Sequence, residues 1–123
     1  LSSGLDCFLV TLNATSQVVI DRLLLRSLKG KSRLGTFARD LILRYLNFSP
    51  QNGKFGFELY DPLAVGALLK FVEFEEEKID VVTVGENYGQ LVRCKEGSPV
   101  FISKRVRAKE FIEYFLERLC LVR

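Results

Sequence analysis

The chain has 123 residues, 48% of them hydrophobic and 11% aromatic, with 18 Lys and Arg against 15 Asp and Glu for a net charge of +3. This is one domain's worth of chain, with enough apolar side chains to fill a core, and it holds no uninterrupted apolar run of the ~18 residues that a membrane-spanning helix needs. The absence of histidine removes the commonest general base and the usual serine and cysteine triads, so any chemistry falls to carboxylates, a tyrosine or a metal.

Charge is dispersed. Lys29, Lys31 and Arg33 are balanced by Glu73, Glu75, Glu76 and Glu77, and neither run is long enough to mark a nucleic-acid-binding or acidic tail. No nucleic-acid partner and no membrane partner are expected. Cys7, Cys94 and Cys120 are odd in number, widely spaced and set among apolar residues, which reads as reduced, mostly buried thiols of a cytoplasmic protein. The opening Ser2, Ser3, Gly4 and Asp6 lacks a basic then apolar leader. With no Met at any position, the chain reads as beginning inside a longer one.

In chain order, the apolar segment 6–12 suits a strand buried on both faces of a parallel sheet. Asn13, Ala14 and Thr15 turn the chain, and Thr15 or Ser16 caps a helix running to about Lys29, with Gly30 as its terminator. Leu34, Phe37, Ala38, Leu41, Ile42, Tyr45 and Leu46 fall on one helical stripe and predict an amphipathic helix, with Tyr45 inside by default. Residues 47–58 carry Pro50, Asn52, Gly53 and Gly56 among Phe48, Phe55 and Phe57. They read as a long loop, either functional or with its aromatics folded back on the core.

Asp61 followed by Pro62 reads as an N-cap and first helical residue, with Ala64, Ala67, Leu68 and Phe71 as the buried face of a helix ending before an acidic turn at Glu75–Glu77. Segment 79–84 reads as a strand, Asn87–Gly89 as a turn, 90–94 as its hairpin partner, and 99–103 as a third strand of an antiparallel meander. Phe111, Ile112, Phe115, Leu116, Leu119 and Cys120 close the chain as one helical face. The fold class expected is α/β: a partial sheet, amphipathic helices and a small antiparallel hairpin region in one domain, 1–123. Asp6, Asp21 and Asp40 read as ordinary surface carboxylates.

Three features together resemble the C-terminal part of the inosine/uridine-preferring nucleoside hydrolases. Leu12-Asn13-Ala14-Thr15 after a buried strand is similar to the family's Leu-Asp-Val-Thr, and Asp61-Pro62-Leu63-Ala64-Val65 matches its Asp-Pro-Leu-Ala-Val at the start of a late helix. The stretch from Val81 through Gly97 to the last helix is similar to its closing hairpin and terminal helix. The resemblance implies hydrolysis of a ribonucleoside N-glycosidic bond at a bound calcium ion, through a transition state with oxocarbenium character. It implies that Asp61 is a calcium ligand. Tyr60 stands where the family often has a histidine for the leaving base; a phenol, with a pKa of about 10, is a poor acid but stacks on a base or donates a hydrogen bond. Tyr60 is expected to face the base, and the 47–58 loop with Tyr45 to form part of a lid over the substrate.

The family's N-terminal Asp cluster and its central Asn-bearing stretch have no counterpart here, and calcium takes about six to eight oxygens. The isolated chain is therefore expected to be inactive, with an N-terminal half as its partner. The alternative from a different class is an interaction or scaffold module that self-associates through open strand edges. Without the resemblance, Asp61 is simply a helix cap.

Overall fold

The computed structural model describes residues 4–48 and 56–122, so Pro50, Asn52, Gly53 and Phe55 of the expected loop lie outside the described residues. The chain opens with β1 (Phe8–Leu9), the one-turn helix α1 (Leu12–Thr15) and β2 (Val19–Ile20). Next come α2 (Arg22–Ser27), β3 (Lys29–Gly30) and the long α3 (Arg33–Phe48). β4 (Phe57–Glu58) leads into α4 (Tyr60–Leu68), followed by β5 (Val72–Val81), β6 (Leu91–Arg93) and β7 (Ser98–Val106). α5 (Ala108–Arg118) and β8 (Leu121–Val122) complete the described chain.

The main sheet has the order β1-β7-β5-β6, with β1 parallel to β7 and the other pairings antiparallel. Two small ribbons, β2-β4 and β3-β8, tie the helices together. This is a mixed α/β fold, as expected, but several elements differ from their sequence patterns. β1 is two residues long and forms an edge, with Phe8 exposed rather than buried on both faces.

The single helix expected from Thr15 to Lys29 is two helices with a strand between them. Val18, Val19 and Ile20 are consecutive β-branched residues, a composition that favours extended backbone. Val19 and Ile20 pair with Glu58 and Phe57. Asp21 then restarts the helix, accepting backbone N–H bonds from Leu23 (2.6 Å) and Leu24 (3.1 Å) through Oδ1. Asp21 is thus an N-cap and more than a surface carboxylate. Gly30 ends no helix. It lies in β3, where a Cβ would sit 2.4 Å from the Thr36 backbone nitrogen.

The acidic run is a strand, not a turn. Glu73 to Glu77 lie within β5, alternating across the sheet and paired with Val100 to Arg105 of β7. Lys104 bonds Glu75 at 2.6 Å and Arg93 bonds Glu77 at 2.9 Å, so flanking strands neutralise the charge that suggested a turn. Nor do the last three strands form a meander: β7 crosses to the far side of β5, which pairs with both β6 and β7. The longer register of β7 on β5 decides the order.

The core joins Val18, Ile20, Leu25 and Leu28 with Ile42 and Leu46 of α3, Leu59 and Leu63 around the start of α4, and Phe111 and Leu116 of α5. Burial of each such side chain contributes roughly 1.5–3 kcal/mol. The α3 stripe splits: Ile42 and Leu46 are buried and Ala38 is half-buried, whereas Leu34, Phe37, Leu41 and Tyr45 are exposed, as is Phe48 at the helix end. The cysteines are not mostly buried either, Cys94 and Cys120 being exposed and Cys7 half-buried, all three free thiols. Among the described residues no helix is long and apolar enough to cross a membrane.

Candidate functional site

The start of α4 is built by alternation. Glu58 is paired to Val19, Leu59 is fully buried and donates its N–H to the Val18 carbonyl at 3.0 Å, and Tyr60 turns outward again. Leu59 and Leu63 anchor the inner side of the helix start, leaving Tyr60 and Asp61 in solvent. The expected capping role of Asp61 is not realised. The cap position belongs to Leu59, Asp61 and Pro62 lie within the first turn, and no side chain caps this end. Pro62 is tolerated there because first-turn N–H groups have no helical partner.

Asp61 enters none of the ion pairs among the described residues. Its negative charge does lie in the first turn, where the helix dipole favours an anion.

Tyr45 reaches the same place from α3. It is 45% exposed rather than buried, and its ring meets Phe57 edge-on at 5.5 Å and 82°. Tyr45, Tyr60 and Asp61 line one cavity of about 450 Å³ together with Leu41, Glu58 and Pro62. Tyr60 and Asp61 also line a second cavity of about 1010 Å³, which extends past Asn13 to Thr11 and Ser103. There the Thr11 N–H donates to Ser103 Oγ, and the two hydroxyls lie 3.1 Å apart. The three candidate residues, and Asn13 of α1, therefore meet around one helix start.

Glu58 is the member of this group that sequence reasoning missed. It lines the same cavity, and hydrogen bonding to its carboxylate, with smaller contributions from desolvation and the nearby negative charge, raises the Tyr60 pKa above its ordinary value. The signal was available in the alternation Glu58-Leu59-Tyr60, which places the first and third residues on one side. The surrounding loop pattern obscured it.

A calcium site requires more than the described residues provide. Among the described residues no three His, Cys, Asp or Glu side chains gather as a metal-binding group, and Asp61 brings a single carboxylate where about six to eight oxygens are needed. The residues present do not by themselves fit the ion.

What the arrangement offers is a cleft with two aromatic faces, Tyr45 and Tyr60, and two carboxylates, Glu58 and Asp61. No protein-family model and no curated protein sequence matches the chain. Its fold is nevertheless that of the nucleoside hydrolases. An inosine-uridine preferring nucleoside hydrolase from Bacillus anthracis superimposes with a TM-score of 0.66 and 19% identity over 97% of this chain. A plant nucleoside hydrolase does so with a TM-score of 0.80 and 18% identity over 95%. The chain spans 38% and 42% of those two proteins' lengths, respectively.

Proposed function

We infer that this chain is the C-terminal part of a nucleoside hydrolase-like protein that cleaves the N-glycosidic bond of ribonucleosides when complete. The observation that carries this reading is the meeting of Tyr45, Tyr60 and Asp61 at one cavity, in a fold shared with nucleoside hydrolases and with Asp61 given no capping task. In the assembled protein Tyr60 and Tyr45 face the base. Asp61 supplies negative charge where positive charge develops on the ribose, and serves as one calcium ligand, the others coming from another segment. Alone, the chain is inactive.

The missing segment is the remainder of a hydrolase fold, and it covers the exposed side of α3 and the free edge of β1. Both features favour it: among the described residues Leu34, Phe37, Leu41 and Phe48 form an uncovered apolar stripe, and β1 is paired on one side only. Unpaired strand edges and large exposed apolar faces mark interaction surfaces.

The test is recovery of this chain with its partners from its native lysate, followed by a ribose-release assay with and without calcium. Recovery of an Asp-rich partner with inosine or uridine hydrolysis is the expected result, and Asp61→Ala in that complex should reduce turnover at least about tenfold, the scale of one lost transition-state contact. An Asp61→Ala complex that binds calcium and releases ribose like the unsubstituted one overturns the ligand assignment.

The same uncovered stripe favours a second reading, a non-catalytic module whose partner is a second copy. Size-exclusion chromatography distinguishes it: a clean monomer at high concentration counts against self-association.

A further inference from the structure

We propose that the segment covering the outer side of α3 is an acidic amphipathic helix, seated on a groove whose apolar floor is Phe37 and Leu41 and whose rim is Lys31, Arg33 and Arg44. This rests on the covering of that side by the remainder of a hydrolase fold, and adds the chemistry of the segment that does so.

The floor has a helical rhythm. Leu34, Phe37 and Leu41 succeed one another at spacings of three and four along α3, and each is more than half exposed. Such spacing builds a ridge along one side of a helix, which a second helix meets with its own apolar residues at i, i+3, i+4 and i+7. α3 has 16 residues and is therefore about 24 Å long, enough for a partner helix of several turns to lie along it. The groove beside the ridge encloses about 740 Å³.

The rim carries uncompensated positive charge. Lys31, Arg33 and Arg44 are exposed and enter none of the ion pairs found among the described residues. Asp40 also lines the groove, but Arg39 already holds it, through Nε at 3.1 Å and Nη2 at 2.8 Å. Arg39 is itself fixed by its Nη1 bond to the Leu28 carbonyl, so Asp40 is answered by its own neighbour and three cations remain. Cations beside an apolar floor select a partner with carboxylates flanking an apolar stripe. A nucleic-acid strand fits less well, since Leu34 and Leu41 offer no flat π-face on which a base stacks. The basic end of the groove is firmly mounted. The Lys31 N–H donates to the Cys120 carbonyl at 2.9 Å, and Gly35 approaches the Leu119 carbonyl so closely that no Cβ fits between them.

The experiment titrates the chain into a fluorescent peptide of about three heptads with Leu at a and d and Glu at e and g, read by anisotropy. A counterpart peptide carries Lys in place of each Glu. The Glu peptide should bind, and bind more weakly as salt rises. Arg33→Glu with Arg44→Glu should reduce its affinity at least about tenfold, the scale of two exposed ion pairs made repulsive, and should gain binding of the Lys peptide, which also shows that the double variant is folded. Phe37→Asp should weaken the Glu peptide to a similar degree. Sedimentation of the chain alone reports any self-association.

No binding of the Glu peptide by the unsubstituted chain overturns the proposal. Binding untouched by Phe37→Asp overturns it in favour of a general polyanion surface, and self-association abolished by Phe37→Asp overturns it in favour of a second copy. Each of these failures leaves the nucleoside hydrolase reading to stand or fall on ribose release and Asp61→Ala. Peptide binding that follows the charge swap supports the acidic-helix partner even where the recovered complex releases no ribose, an outcome that removes only the hydrolase identity of that partner.

Discussion

Two aspartates show how differently the same residue type can be used at the start of a helix. Asp21 stands just outside α2 and accepts two backbone N–H bonds, whereas Asp61 stands one residue inside the first turn of α4 and caps nothing. Pro62 gives Asp61 the sequence signature of a cap, but the helix begins a residue earlier, at Tyr60, because Leu59 is drawn into the core and bonded to Val18. Urea denaturation separates the two roles. Asp21→Ala should cost about 0.5–2 kcal/mol, while Asp61→Ala should stay within about 0.5 kcal/mol. A large loss for Asp61→Ala would return that residue to a structural task.

At the scale of the element, α3 carries more apolar surface than the described residues cover. Its inner line, Ile42 and Leu46, packs on the α2 and α4 regions of the core, and Arg39 Nη1 donates to the Leu28 carbonyl at 3.0 Å to hold the helix against α2. The outer line is open to solvent, Phe37 being 64% exposed against 1% for Leu46. Leu46→Ala should therefore destabilise by about 2–5 kcal/mol, and Phe37→Asp by no more than about 0.5 kcal/mol, both read by thermal or chemical unfolding. If Phe37→Asp instead weakens recovery of a partner while leaving stability unchanged, the outer line is the binding surface for the remainder of the hydrolase fold.

Over the whole molecule, the sheet and the helices that flank the site are joined by close approaches that admit no larger residue. α4 reaches α5 at Gly66, where a Cβ would lie 2.5 Å from Phe111 Cε2. Phe111 is itself buried and already packed against Phe71 and Phe115, so it cannot give way freely. Gly66→Ala should cost about 1–3 kcal/mol through overpacking, against the roughly 1 kcal/mol gained at most from better helix propensity. Equal stability in a denaturant melt would show that α5 can slide, and with it that the start of α4 is less firmly placed than the site requires.

Local pattern alone determined a good part of this protein. The 3.6-residue period located α3 and α5, the apolar and turn residues after Ile79 located the β5-β6 hairpin, and Tyr60-Asp61-Pro62 was legible as a helix start bearing candidate site residues. The same patterns carried the likeness to nucleoside hydrolases that the fold shares. Only the tertiary structure decided which side of α3 is covered, because period reports that a face is apolar and not whether the chain contains its partner. It likewise decided that 18–20 leave the helix and that Glu73–Glu77 extend β5. Those outcomes depend on pairings to residues distant in sequence, Val19 with Glu58 and Glu73 with Arg105. The gathering of Tyr45 of α3 with Glu58 and Tyr60 around one cavity belongs to the same class, because residues so far apart along the chain meet only through the packing of α3 against the β2-β4 ribbon and the start of α4.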